Sequence, residues 1–226
     1  MTYNDFANIM TPARMSRYLT ACGNNSRMAM MLYRKNLQLS QEVFTVIGCF
    51  EVALRNAIDK HYTATHGADW LRDGAATGGI FDNAQCRQTQ KAITDALRTL
   101  SLYSHHKVIA ELGFGFWRYL FSKQQFNVAG KTLLKVFPLK PSSTPSMQYN
   151  RVYVFNHLAD INNLRNRIAH HEPICFLPGQ PVKDTGYVQQ HYGQIQQLFR
   201  WMGIDEKSLL CDLDHITAIC RSIDTL

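Results

Sequence analysis

The chain has no C-x-x-C pair, no block of basic residues, no clear run of alternating polar and apolar residues and no internal repeat. Each lack removes a class. Its six cysteines, at 22, 49, 86, 175, 211 and 220, are too sparse for a disulfide framework and wrongly spaced for a zinc finger or ribbon. They read as free, mostly buried thiols of a reducing compartment. Missing alternation argues against a sheet. The most apolar stretch, residues 43–54, is too short to span a bilayer and contains Glu51. The opening MTYNDFANIM lacks the basic start and apolar core of a secretion signal. A cytoplasmic location with no membrane partner is expected.

What is there fits one folded domain over residues 1–226. A hydrophobic fraction of 46% with 11% aromatics supports a sizeable core. Lys and Arg outnumber Asp and Glu by 24 to 17, giving +7. That excess favours a polyanionic partner such as RNA, although it is spread thinly enough to suit any basic soluble protein.

The chain reads as helical nearly throughout, and all-α is the expected class. Thr11-Pro12 starts a helix and Gly23 stops it. A second helix is expected over 26–37. A long third one follows, capped by Ser40, with Val43, Ile47, Phe50, Leu54, Ala57 and Ile58 on one stripe. Gly67 ends it, so helices fill 11–66. Further helices are expected over 83–100, 106–121 (broken near Gly113 and Gly115) and 125–137, then a proline-rich loop over 138–145. A long helix runs from a Ser146 cap to about residue 172, with apolar Val152, Phe155, Leu158, Ile161, Leu164 and Ile168, and Pro173 forbids its continuation. Two C-terminal helices, 187–202 and 206–223, complete the reading.

The end of that long helix carries the chemistry. Leu164-Arg165-Asn166-Arg167-Ile168-Ala169-His170-His171-Glu172-Pro173 gathers guanidinium, amide and two imidazoles into adjacent turns. At 100° per residue Asn166 and His170 share a face, while Arg165 and His170 point about 140° apart. An always-charged fork suits a phosphate, and an imidazole suits proton transfer near neutrality. Residue by residue a plainer reading is preferred. A terminal His-His before proline can cap the last carbonyls, and a flank arginine usually makes a weak surface ion pair. Only the run as a whole favours function. Glu51-Val52-Ala53-Leu54-Arg55-Asn56 repeats the Arg-Asn pairing, and Glu51, Arg55 and Asp59 at four-residue steps suit an ion-pair ladder.

The R-x4-H spacing of Arg165 and His170 is the signature of the HEPN group. In the longer form RNRIAHHEP, together with EVALRN and GFGFW (113–117), the chain resembles the Abi-like (abortive infection) family of phage-defence proteins. The runs Ala13–Leu19, Leu32–Asn36 and Asp69–Leu71 look like further landmarks of that family, so the resemblance covers roughly residues 12–200. It implies a HEPN-like helical bundle with additional N- and C-terminal helices, RNA cleavage that halts growth, and an antitoxin of protein or RNA.

Cleavage by the RNA's own 2′-hydroxyl needs a base, an acid and positive charge on the phosphorane. Arg165 takes the phosphate, His170 the proton, and Asn166 orients one of them. His171, Glu51, Arg55 and Asn56 are supporting or RNA-binding residues. No metal or other cofactor is expected, since no metal-ligand spacing is present. One motif per chain makes a loose site, so a composite one implies a two-fold homodimer with motif helices facing the axis. The other expectation is a non-catalytic RNA- or partner-binding helical module with a regulatory role. Weaker signals read as structure: Gly113-x-Gly115 lacks a nucleotide loop's third glycine, His105-His106 looks like a polar loop, and Tyr149, Tyr153 and Phe155 look like core.

Overall fold

The computed structural model describes all 226 residues, of which 67% are helical. The fold is all-α. Its one β feature is an isolated antiparallel bridge between Phe176 and Lys183. Twelve α-helices follow one another: α1 Tyr3–Met10, α2 Pro12–Ala21, α3 Ser26–His66, α4 Trp70–Ala75, α5 Arg87–Arg98, α6 His105–Glu111, α7 Phe114–Tyr119, α8 Lys123–Val128, α9 Arg151–Ala169, α10 Gly186–Trp201, α11 Glu206–Leu209 and α12 Ile216–Asp224. The chain packs as two compact units, both discontinuous, where the sequence alone offers no boundary. The first gathers residues 1–48, 163–196 and 206–226, and the second 49–162 and 197–205.

Several element boundaries differ from the sequence reading, each for a local reason. The separate second and third helices are one 41-residue helix, α3. Nothing between Ser26 and Gly48 breaks it, and the buried Leu32, Leu39 and Val43 carry its apolar face straight past Ser40. Its start is capped by Asn25, whose Oδ1 accepts the Met28 N–H at 3.1 Å. By length and composition α3 could cross a membrane, and 33% of its most apolar window is buried inside the protein. Helix α9 starts at Arg151 rather than after Ser146, because Asn150 Oδ1 accepts the N–H groups of Val152 and Tyr153. Val154, not the exposed Val152, begins its buried stripe.

Helix α8 stops at Val128 because Gly130 and Lys131 both take positive φ, leaving a short 3-10 turn at Leu133–Val136. The expected 206–223 helix is broken between α11 and α12. There Asp212 adopts positive φ, and Asp214 Oδ1 accepts the Ile216 N–H to restart the chain. Helix α1 was not signalled by apolar periodicity. A capping box makes it: Thr2 Oγ1 accepts from the Asp5 N–H, and Asp5 accepts from the Thr2 N–H.

In the second unit Phe50 meets Phe114 and Phe199 edge-on or tilted, and Trp117 donates to the Leu112 carbonyl across the α6–α7 break. Asp59 does not extend a ladder with Arg55. It accepts instead from Trp70 Nε1 at 2.8 Å and His105 Nε2 at 2.7 Å. His105 is therefore part of the packing of this unit, not a free polar loop.

In the first unit an aromatic chain ties α1, α2 and the first half of α3 to the segment after α9. Phe6 contacts Tyr33, Tyr33 contacts Tyr18, and Tyr18 contacts Phe176, with ring centroids 5.4, 5.1 and 5.0 Å apart. Edge-to-face pairs of this kind add about 0.5–1.5 kcal/mol each beyond burial.

Candidate active site at the end of the long C-terminal helix

Helix α9 ends in a left-handed turn. The Glu172 N–H bonds the Arg167 carbonyl at 2.8 Å and the His171 N–H bonds the Ile168 carbonyl at 2.9 Å, while His171 takes φ 56°. This is the Schellman pattern, with His170 at the cap and His171 just past it. The two histidines thus follow the last turn rather than lying within it, as the sequence suggested. Helices α2 and α10 end in the same hydrogen-bond pattern, but with Gly23 and Gly203 at the left-handed position. A side chain there costs about 1–2 kcal/mol that glycine avoids. His171→Gly should therefore raise stability by about 1 kcal/mol in a urea melt, less the small entropic cost of glycine. If RNA cleavage falls at the same time, the imidazole and not the turn is what the protein keeps.

The turn is held from three sides. Arg14 of α2 donates a short hydrogen bond to the His171 carbonyl. Asn36 of α3, 3% exposed, accepts the Ile174 N–H at 2.9 Å. Arg17 donates to the carbonyls of Leu177 and Gln180 at 3.2 and 2.6 Å and lies over the Phe176 ring. Arg167 bends back as well: it donates to the Pro173 carbonyl at 2.9 Å, pairs with Glu172 at 3.3 Å and covers Tyr187. Arg14 and Arg167 are thus spent on carbonyls of the turn that follows the helix, where positive charge also suits the macrodipole. The loop after the motif, to which the sequence assigned no role, is an anchored turn.

Arg165, Asn166 and His170 are left over. Asn166 and His170 are exposed, and neither side chain is hydrogen-bonded to the protein. The 166–170 relation survives as the His170 N–H to Asn166 carbonyl bond of 2.9 Å, which keeps both on one face. Arg165, half-buried, has no carboxylate partner; its guanidinium carbon lies 5.8 Å from the Phe44 ring centroid. A cation held beside a ring and left unpaired keeps its hydrogen-bond donors for an outside acceptor. The His171 side chain borders a groove of about 330 Å³ that runs between α3 and this turn, lined also by Phe44, Gln41 and Asn36.

Glu51, Arg55 and Asn56 stand on the second half of α3, in the other unit. Asn56 is exposed, and Arg55 buries its Nε without a hydrogen-bond partner. No three His, Cys, Asp or Glu side chains cluster closely enough to hold a metal ion. Sequence reasoning missed the roles of Arg14, Arg17 and Asn36. Their signal was the pair of runs 13–19 and 32–36, noticed as landmarks but not tied to the motif.

All six cysteines are free, and four are buried. Burial pushes the Cys175 thiol, beside the anchored turn, up to about 12 from its ordinary 9.0, and pushes the Tyr18 hydroxyl up as well. The unfolded chain releases these protons at lower pH than the native one. Their contribution is therefore complete below pH 9 and is lost as pH rises from 9 towards 12. The thermal midpoint should be level from pH 7 to about 8.5 and fall above pH 9, with a shallower fall in Cys175→Ala. In native protein, Ellman's reagent should titrate the exposed Cys211 first and Cys175 only on unfolding.

Comparison with protein-family models, curated proteins and solved structures gives no match.

Proposed function

We propose that the protein is a metal-independent, HEPN-type endoribonuclease that acts as a toxin in abortive infection, in the cytoplasm. The observation that carries the reading is the division of labour at the end of α9. Arg14 and Arg167 hold carbonyls of the turn that follows the helix, while the side chains of Arg165, Asn166 and His170 make no hydrogen bond or ion pair with the protein. Capping alone leaves three unpaired polar side chains at consecutive turns without a role.

In this reading Arg165 holds the scissile phosphate and offsets the charge that grows on its equatorial oxygens. An imidazole of His170 removes the 2′-hydroxyl proton as that oxygen attacks phosphorus. The bond to the 5′-oxygen breaks, a second imidazole protonates it, and a 2′,3′-cyclic phosphate remains. One chain offers His170 and, at the next position, His171. A homodimer with α9 ends adjacent offers two copies of His170. Asn166 orients the imidazole or the phosphate from the same face. Glu51, Arg55 and Asn56 are proposed as supporting or RNA-binding residues, and an antitoxin, protein or RNA, as the cell's protection.

The test is cleavage of total cellular RNA by purified protein in EDTA, with product ends analysed for 2′,3′-cyclic phosphate. Metal-free cleavage leaving those ends is the expected result. Intact RNA after incubation with folded, dimeric protein would overturn it. The second reading, a non-catalytic module that binds RNA or a partner, is favoured by one observation: no protein group hydrogen-bonds the His170 ring to fix its orientation. It predicts RNA binding that depends on Arg165 without any cleavage.

A further inference from the structure

The groove beside the motif has a construction that phosphate chemistry alone does not require. Phe44 is 42% exposed even though the Arg165 guanidinium covers part of it. Few large aromatic rings of this chain are so open, and this one is in contact with the unpaired arginine. The groove has about 330 Å³ of space, at the lower end of small-ligand pockets (about 300–1,000 Å³). Its apolar wall is Phe44, Leu37 and Ile168. Its polar wall is mixed. Asn36 has its Oδ1 occupied by Ile174 but no protein partner for Nδ2, and Gln41 has no side-chain hydrogen bond. Glu172 adds a carboxylate whose charge is balanced by Arg167.

We propose that this groove receives one unpaired nucleobase of the RNA, stacked on Phe44, with its edge read by Asn36, Gln41 and Glu172. The inference rests on Arg165 holding an RNA phosphate. A flat apolar ring with donors and acceptors around its edge is complementary to an aromatic face bordered by amides and a carboxylate. The guanidinium that touches Phe44 places the positive charge where the backbone of that nucleotide passes. An aliphatic ligand would use the apolar wall but leave the unpaired cation unanswered. The site therefore selects single-stranded RNA with a splayed base over duplex, whose bases are stacked and paired.

The experiment uses the full chain and fluorescein-labelled 2′-O-methyl octamers of A, C, U and mixed sequence, which cannot be cut through the 2′-oxygen. Fluorescence anisotropy is recorded for wild type, Phe44→Ala, Phe44→Leu and Phe44→Trp, with thermal midpoints for each. Phe44→Ala and Phe44→Leu should weaken binding of the preferred octamer by about tenfold, the usual effect of losing one stacked base. Phe44→Trp should restore it, and all midpoints should stay close to wild type. Phe44→Leu keeps an apolar side chain of most of the residue volume, so its loss reports the ring face more than the packing.

Wild-type affinity in Phe44→Leu, or no octamer bound by wild type, would overturn the inference. Sedimentation velocity adds a further outcome that overturns it: a dimer that dissociates in Phe44→Ala with octamer affinity unchanged gives the groove to a second copy of the chain. Cleavage of unmodified RNA is scored separately. Cleavage with an indifferent Phe44 removes the base site alone, whereas Phe44-dependent binding without cleavage removes the nuclease alone.

Discussion

His170→Ala should lower the rate of RNA cleavage by about 10²–10⁴-fold, the usual contribution of a positioned proton-transfer group, while leaving the fold untouched. The side chain is exposed and makes no hydrogen bond to the protein, so the stability change should stay within about 0.5 kcal/mol. Because the position is open to solvent, imidazole added to the buffer should restore part of the activity. Arg165→Ala should cost about 10²–10³-fold. Arg165→Lys should recover little of that, because an ammonium does not fork to two phosphate oxygens. Gel-resolved cleavage of a defined RNA, with circular dichroism melts alongside, checks all three variants. Equal cleavage by wild type, His170→Ala and Arg165→Ala would remove these residues from the chemistry.

Asn36→Leu should have the largest effect on stability among single changes near the site. The new side chain keeps the branched shape, is somewhat bulkier, and leaves the Ile174 N–H, buried beside it, without an acceptor. A buried donor abandoned in this way costs about 1–3 kcal/mol, or roughly 2–12 °C in a protein of this size at about 2–4 °C per kcal/mol. The amide of Ile174 is the local probe: its hydrogen exchange should accelerate in Asn36→Leu more than that of core amides in the second unit. An unchanged melt with unchanged exchange would mean that the turn is held by Arg14 and Arg17 without Asn36.

How much of this was readable beforehand depends on range. Gly23, Gly67 and Thr11-Pro12 mark helix ends correctly because each acts within one turn of itself. Of the stripe Val43, Ile47, Phe50, Leu54, Ala57 and Ile58, all but the half-buried Ala57 are buried as their spacing requires. Ser40 misled because a capping residue is only an option, and the apolar face on either side of it kept the helix running. Asp59 misled for the opposite reason. Its neighbours in sequence suggested a ladder, but Trp70 and His105, 11 and 46 residues on, supply better donors. At the candidate site the motif itself was legible as a string of residue types. Its architecture was not: the left-handed His171 follows from hydrogen bonds closed by Glu172, and the anchors Arg14, Arg17 and Asn36 lie 138 to 163 residues away.

Those separations also set an order of events on the ribosome. Residues 14, 17 and 36 are made early and wait with their donors and acceptors unmet, and the turn they grip is not complete until Gln180 has emerged. The end of α9 therefore takes its final form only late in synthesis. A nascent chain carries Arg165 and His170 before the turn that follows them is anchored.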